Sequence, residues 1–299
     1  HYTDGTVDRK MQWIAAKNEV VDVPNPSNKQ IAYTLFDPNN EVLKKVRFAK
    51  GFEWLEKQAL NASNMLDRYD ALVALRPFSL EQKREILKKA YAKETFQYTK
   101  SEIIHQLIDD TDAGSRTIIR SAMTDKDVLL HKAVINNTTI IAADVRADYE
   151  KLLKSPSYEV VMNTLEKLSF QFPSQTATYL EAAKGVIGTS GRNVEVKWLE
   201  IKGDKESIDK LVSYTSMSYE FRTRVNAAQA MRRLNYLGAT MMKNLFSAML
   251  SANTRLANPS GDVLNTFYNQ AAHRKMITDY MATQAWDNRQ RNILGSMLK

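Results

Sequence analysis

Four polar residues, Arg222, Asn226, Gln229 and Arg233, follow one another at intervals of four, three and four. On a helix turning about 100° per residue they fall within about 60° of one another and form a stripe. Phe221, Val225 and Ala228 leave little other polar surface, so a mostly buried helix would show its arginines through a narrow window. Two readings are open. The stripe is an ordinary solvated face, or it lines the concave side of a helical solenoid and binds carboxylates, phosphates or a neighbouring domain bidentately.

Other chemistry is thin. The four histidines, His1, His105, His131 and His273, have no second histidine three or four positions away, and the zinc signature His-Glu-x-x-His is absent. Each internal histidine lies in a helical run, where packing is the expected role. Asp109, Asp110 and Asp112 precede Gly114, but an EF-hand register fails at the third ligand, so a capped turn between helices is expected. The run GVIGTSG at 185–191 lacks the Lys-Ser/Thr of a phosphate loop and reads as a flexible insertion. No Gly-x-Ser-x-Gly elbow occurs, and with no cysteine the chain has no disulfide, thiolate metal site or cysteine nucleophile. No cofactor is expected within this chain.

The elements that would position these residues change character after residue 48. Short β-prone runs at 7–13, 19–23, 31–36 and 42–48 alternate with the turn formers Asp4-Gly5, Pro24-Asn25-Pro26 and Asp37-Pro38. They predict a small sheet, too short to carry its own core. From Gly51 the period becomes helical, with runs at 52–60, 80–91, 102–108, 160–168, 207–214, 221–237 and 241–250. Asn64, Asp112, Ser155, Ser216 and Asn258 read as helix N-caps. Most of their spacings fall near the roughly 40–47 residues of a HEAT or armadillo unit. One long interval is ascribed to the 188–191 loop and the segment 194–201. The expected fold is mainly α: an α-α superhelix of HEAT-like repeats over 49–299, preceded by a β-sandwich portion over 1–48.

Composition bounds the rest. The chain has 299 residues, 43% hydrophobic, with only 10 Gly and 7 Pro, which excludes disorder and turn-rich all-β folds. Its net charge of +8 permits acidic partners without demanding them. No run approaches the roughly 18 apolar residues of a membrane span, and no signal pattern opens the chain, so a soluble protein without a membrane partner is expected. The start, without Met and inside a strand-like run, reads as that of a piece excised from a longer protein.

Several segments carry a resemblance in order along nearly the whole chain. LFDPNNEVLKKVRF at 35–48 resembles the last hairpin of the small β-sandwich of M1-family zinc aminopeptidases, and NMLDRYDALVAL at 64–75 resembles the early helix of their helical domain. YEKLLKSPSY at 149–158, VKWLEI at 196–201 and SYEFRTR at 218–224 are similar to segments of bacterial members with HEAT-like C-terminal domains. The resemblance implies a parent enzyme that removes N-terminal residues from peptides with a zinc held by His-Glu-x-x-His and a downstream Glu. Those motifs are absent here, so no catalytic or metal residue carries over.

Two functions follow as expectations. The first is the non-catalytic C-terminal region of such an enzyme, a lid and cavity wall. Its partners would be the N-terminal catalytic domain of the same polypeptide and the peptide substrate, in a bacterial cytoplasm or periplasm. The alternative is an independent HEAT-like scaffold whose basic concave face holds a protein or nucleic acid. The strand-rich opening and the scarcity of aromatic-plus-Arg interleaving outside 219–236 disfavour nucleic acid.

Overall fold

Side chains that accept from the first free backbone N–H groups set most of the helix starts. In the computed structural model, which describes residues 1–38, 41–44, 46–186 and 192–298, Asn64 accepts from the Leu66 amide, and Asp112 from those of Gly114 and Ser115. Ser79 with Gln82 and Asp287 with Gln290 close reciprocal capping boxes. The described residues form a mainly helical protein of sixteen α-helices. The chain divides into two compact units, His1–Thr139 and Ile140–Lys299.

The first unit holds α1 (Phe52–Asn61), α2 (Met65–Ala74), α3 (Leu80–Lys93), α4 (Gln97–Leu107), α5 (Ala113–Met123) and α6 (Val128–Asn137). Consecutive helices pack in pairs, α1 on α2, α3 on α4 and α5 on α6. The pairs stack so that α1, α3 and α5 form one row and α2, α4 and α6 a second. Leu72, Leu87, Ile103, Leu107 and Leu130 are buried among them. Burying each such side chain contributes about 1.5–3 kcal/mol, which holds the stack together against the entropy of ordering it.

Ion pairs reinforce the stack at a constant offset of 26 residues. Arg68 grips Glu94, Arg76 grips Glu102 and Arg84 grips Asp110, each through two nitrogens of the guanidinium fork. All three carboxylates are buried.

The second unit holds α7 (Arg146–Lys151), α8 (Tyr158–Gln171), α9 (Thr176–Ala183), α10 (Arg192–Lys202), α11 (Lys205–Tyr214), α12 (Phe221–Arg233), α13 (Ala239–Met249), α14 (Thr254–Tyr268), α15 (Ala271–Thr283) and α16 (Asn288–Met297). Here α8, α10, α12 and α14 pack successively; α11 leans on α10 and α12, and α13 on α14. Met231, Met241, Leu245, Phe246, Leu264 and Phe267 form its core, where Phe246 stacks 5.7 Å from Trp286.

The first 48 residues differ from the four-stranded expectation. Among the described residues no strand forms, and one isolated antiparallel bridge joins Tyr2 to Ile31. Alternation of apolar and polar residues is not enough for a strand, which needs a neighbour for its N–H and C=O groups. Instead the segment is tied by side chains: Lys10 Nζ donates to the Asp22 carbonyl, and Glu19 accepts from the Ala15 and Ala16 amides. Its apolar side chains face solvent, with Met11 94%, Trp13 86% and Leu43 103% exposed. Among the described residues, Ala32 and Tyr33 dock against Ala62, with Leu35 and Trp54 beside them. Asn39, Asn40 and the 188–191 loop lie outside the described residues.

Three of the five expected caps move. Ser157 caps α8, and Ser155 instead accepts from the Ser157 amide. Glu220, not Ser216, caps α12 by accepting from Arg222 and Thr223. Asn253 caps α14, and Asn258 lies inside that helix beside the internal Pro259. The segment 194–201, expected as part of an insertion, is the body of α10. With these shifts the interval from Glu220 to Asn253 falls to 33 residues, while the first two intervals stay near the expected unit length.

Candidate functional site

Residues four and seven apart on a helix share a face, and α2 and α4 present such faces to a common cleft. From the α2 side come Met65, Tyr69 and, just past its last turn, Arg76; from α4 come Tyr98, Ser101, Glu102 and His105. Phe96 at the start of α4 and Asn137 at the end of α6 complete a cleft of about 570 Å³. It lies within the first unit, along its α2, α4 and α6 row.

A fixed polar framework lies beneath the aromatic rim. Arg76 Nε donates to Glu102 Oε1 at 2.8 Å and its Nη2 donates to Oε2, leaving Nη1 outside the pairing. Glu102 also accepts from Gln106 Nε2 at 2.8 Å, an amide that reaches the Leu72 carbonyl as well. The Glu102 contact raises the Arg76 pKa above its ordinary value, so the guanidinium stays charged. Lys83 Nζ donates to the Arg76 carbonyl at 2.9 Å, while its burial pushes the ammonium pKa down.

At the other end, Asn137 Nδ2 donates to the Ala133 carbonyl, so its Oδ1 accepts from His105 Nδ1 at 2.7 Å. This network assigns the His105 proton to Nδ1 and leaves Nε2 as the ring's second polar atom. Phe96 and Tyr98 lie 5.6 Å apart, and Tyr98 is 60% exposed. Thr99 also lines the cleft, is 1% exposed, and its hydroxyl finds no partner among the described residues.

The stripe on α12 follows the seam with α10. Asn226 Nδ2 donates to Asn193 Oδ1 at 2.8 Å, and Arg233 grips Glu200 through Nε at 2.5 Å and Nη2 at 2.7 Å. Lys197 bridges Glu200 at 3.2 Å and Glu166 at 2.8 Å. Gln229 is half-buried between the Asn226 and Arg233 positions, and Arg222 is exposed with its guanidinium 5.7 Å from the Phe221 ring. The four residues share a face as their spacing dictates, but Arg233 is neutralised by Glu200. Arg224, which the stripe argument passed over, is buried; its Nε donates to the Thr215 carbonyl at 3.1 Å and desolvation lowers its pKa.

Asp110, Asp112 and the other three histidines have structural partners. Asp110 takes Arg84 and the Ser115 hydroxyl; burial opposes its charge, yet these bonds hold its carboxyl down to about 2. Asp112 caps α5 and meets Lys88 at 3.1 Å, so the acidic cluster is the capped turn expected. His131 Nε2 meets the Asp125 carbonyl at 2.8 Å, His1 stacks on Tyr33 and His273 meets Phe267 edge to face. Among the described residues no three His, Cys, Asp or Glu side chains gather as a metal site. No described helix is long and apolar enough to cross a membrane.

The cleft was hidden in the sequence because it joins helices far apart in the chain. A partial signal exists: Tyr98, Glu102 and His105 share a face, but the helical run read from 102 omitted the turn carrying Tyr98. Compared with protein-family models, curated proteins and solved structures, the chain matches none.

Proposed function

We propose that the chain is the non-catalytic C-terminal region of an M1-family zinc aminopeptidase. Its helices would form a HEAT-like wall of the substrate chamber, and its first 48 residues would complete a β-sandwich. The observation that carries this reading is the row of solvent-exposed apolar side chains before α1. Met11, Trp13, Val20 and Leu43 are each at least 85% exposed on backbone without ladder partners, as strands of a sheet would be when their neighbours are elsewhere. The stacked helix pairs of the first unit support the HEAT-like description. Arg233 is paired with Glu200 and so is not free to hold a phosphate, which weakens the α12 stripe as a nucleic-acid face.

The four histidines occupy separate surroundings and do not fit a zinc site, so no step of peptide hydrolysis is assigned to this chain. The coding sequence upstream of His1 tests the proposal. An in-frame His-Glu-x-x-His with a downstream Glu, and zinc-dependent hydrolysis of an aminoacyl chromogenic substrate by the full polypeptide, are expected. An upstream sequence without that signature overturns it.

A further inference from the structure

The cleft of the first unit has two properties that together select a ligand. Its rim is aromatic: Tyr69, Phe96 and Tyr98 surround a space of about 570 Å³, enough for one aromatic side chain and the backbone beside it. Its accessible charge is positive. Glu102 has a 3% exposed side chain beneath the Arg76 fork, whereas the Arg76 side chain is 47% exposed and keeps Nη1 outside that pairing.

We propose that this cleft binds an aromatic residue bearing a free carboxylate, as presented by the C-terminal Phe or Tyr of a peptide. The ring stacks among Phe96, Tyr98 and Tyr69. The carboxylate takes the outer edge of Arg76, whose orientation is fixed in advance by Glu102, so little rotamer entropy is lost on binding. His105 Nε2 serves the adjoining peptide group. The inference rests on the aminopeptidase reading only for peptides as the source of the ligand; the chemistry rests on the cleft.

The test is calorimetric titration of the present chain with N-acetylphenylalanine, N-acetylphenylalaninamide and N-acetylalanine, together with the tripeptide Gly-Gly-Phe and its amide. The acid is expected to bind at least tenfold more tightly than its amide, and tenfold more tightly than N-acetylalanine. Gly-Gly-Phe is expected to match or exceed N-acetylphenylalanine; a tripeptide that fails where the free acid binds assigns the cleft to small aromatic acids and overturns the peptide source. Tyr98→Ala, at an exposed position, should weaken both about tenfold without changing thermal stability. Arg76→Lys keeps a charge on Glu102 but loses the fork, and should erase the preference for acid over amide. No binding at millimolar ligand, or equal binding of acid and amide, overturns the proposal even if Arg76→Lys fails to fold. These outcomes leave the upstream zinc signature untouched, so the two readings fail separately.

Discussion

Arg84 and Asp110 are locked face to face across 26 residues of chain, with Nε to Oδ2 at 2.7 Å and Nη2 to Oδ1 at 3.0 Å. The Asp110 side chain is 2% exposed and that of Arg84 25%, so the carboxylate is withdrawn from water while the guanidinium keeps one side in it. Removing one partner of such a pair leaves a buried charge. Arg84→Met is therefore expected to destabilise the protein by about 3 kcal/mol, read by urea denaturation at pH 7. A loss below about 1 kcal/mol would show that the pair is no more than a surface contact.

The same pair sets an acid dependence. Asp110 is held at about 2 against an ordinary 3.8. Its contribution is fully present above the unfolded value and is lost as pH falls through 3.8 towards 2. It amounts to about 2 kcal/mol. Asp67 and Asp70 titrate the opposite way, since burial pushes both of them up. The comparison is therefore between wild type and Asp110→Asn: wild type should be the more stable at pH 6, and the difference should shrink steadily from pH 4 to pH 2. A difference independent of pH would refute the assignment.

The two ends of the α12 stripe should respond differently to charge reversal. Arg233→Glu places a carboxylate against Glu200, and with Lys197 alone left to offset both, a loss of about 1–2 kcal/mol is expected. Arg222 is exposed in the first turn of α12, where the helix dipole favours a negative charge, so Arg222→Glu should shift stability by less than about 0.5 kcal/mol. Equal melting shifts for the two variants would mean that Arg233 is not held by Glu200 in solution.

What the sequence made legible was local. Each of the seven helical runs overlaps a helix, although the run 221–237 continues four residues past the end of α12, because apolar residues at three and four spacing bury one face whatever the tertiary arrangement. Asn64 and Asp112 cap as expected, whereas Ser155, Ser216 and Asn258 do not, since Ser and Asn serve turns as readily as caps. Asn258-Pro259 resembles a helix boundary, yet α14 runs through it because Leu256, Ala257, Gly261 and Leu264 are buried on one side. The alternation over residues 7–48 predicted strands, but a ladder depends on a partner strand that alternation does not supply, and among the described residues no strand forms. The cleft depends on Arg76 meeting Glu102 across two helices, and no periodicity within either helix encodes that meeting.

Pro259 offers a direct test of that tertiary override. Inside α14 it lacks the N–H that would bond the Arg255 carbonyl one turn earlier. Pro259→Ala is expected to stabilise the protein by about 1 kcal/mol, with part of the larger helix-interior penalty offset by lost packing and a more flexible unfolded chain. A melting temperature lower than that of the wild type would show that the proline ring packs or bends the helix usefully.

The extended segment should prove weakly attached. Its apolar contact with the helices consists of Ala32 and Tyr33 against Ala62, beside Leu35 and Trp54, and a single buried aromatic contributes about 1.5–3 kcal/mol. Deleting residues 1–48 is thus expected to leave the far-ultraviolet helical signal per helical residue unchanged and to lower stability by no more than about 3 kcal/mol. Hydrogen exchange should then show lost protection at α1, where Ala62 and Trp54 become uncovered, with α3 to α6 keeping theirs. Protection lost throughout α1 to α6 would mean that the segment is integral to the core of the first unit, and that the helix pairs cannot stand as a stack without it.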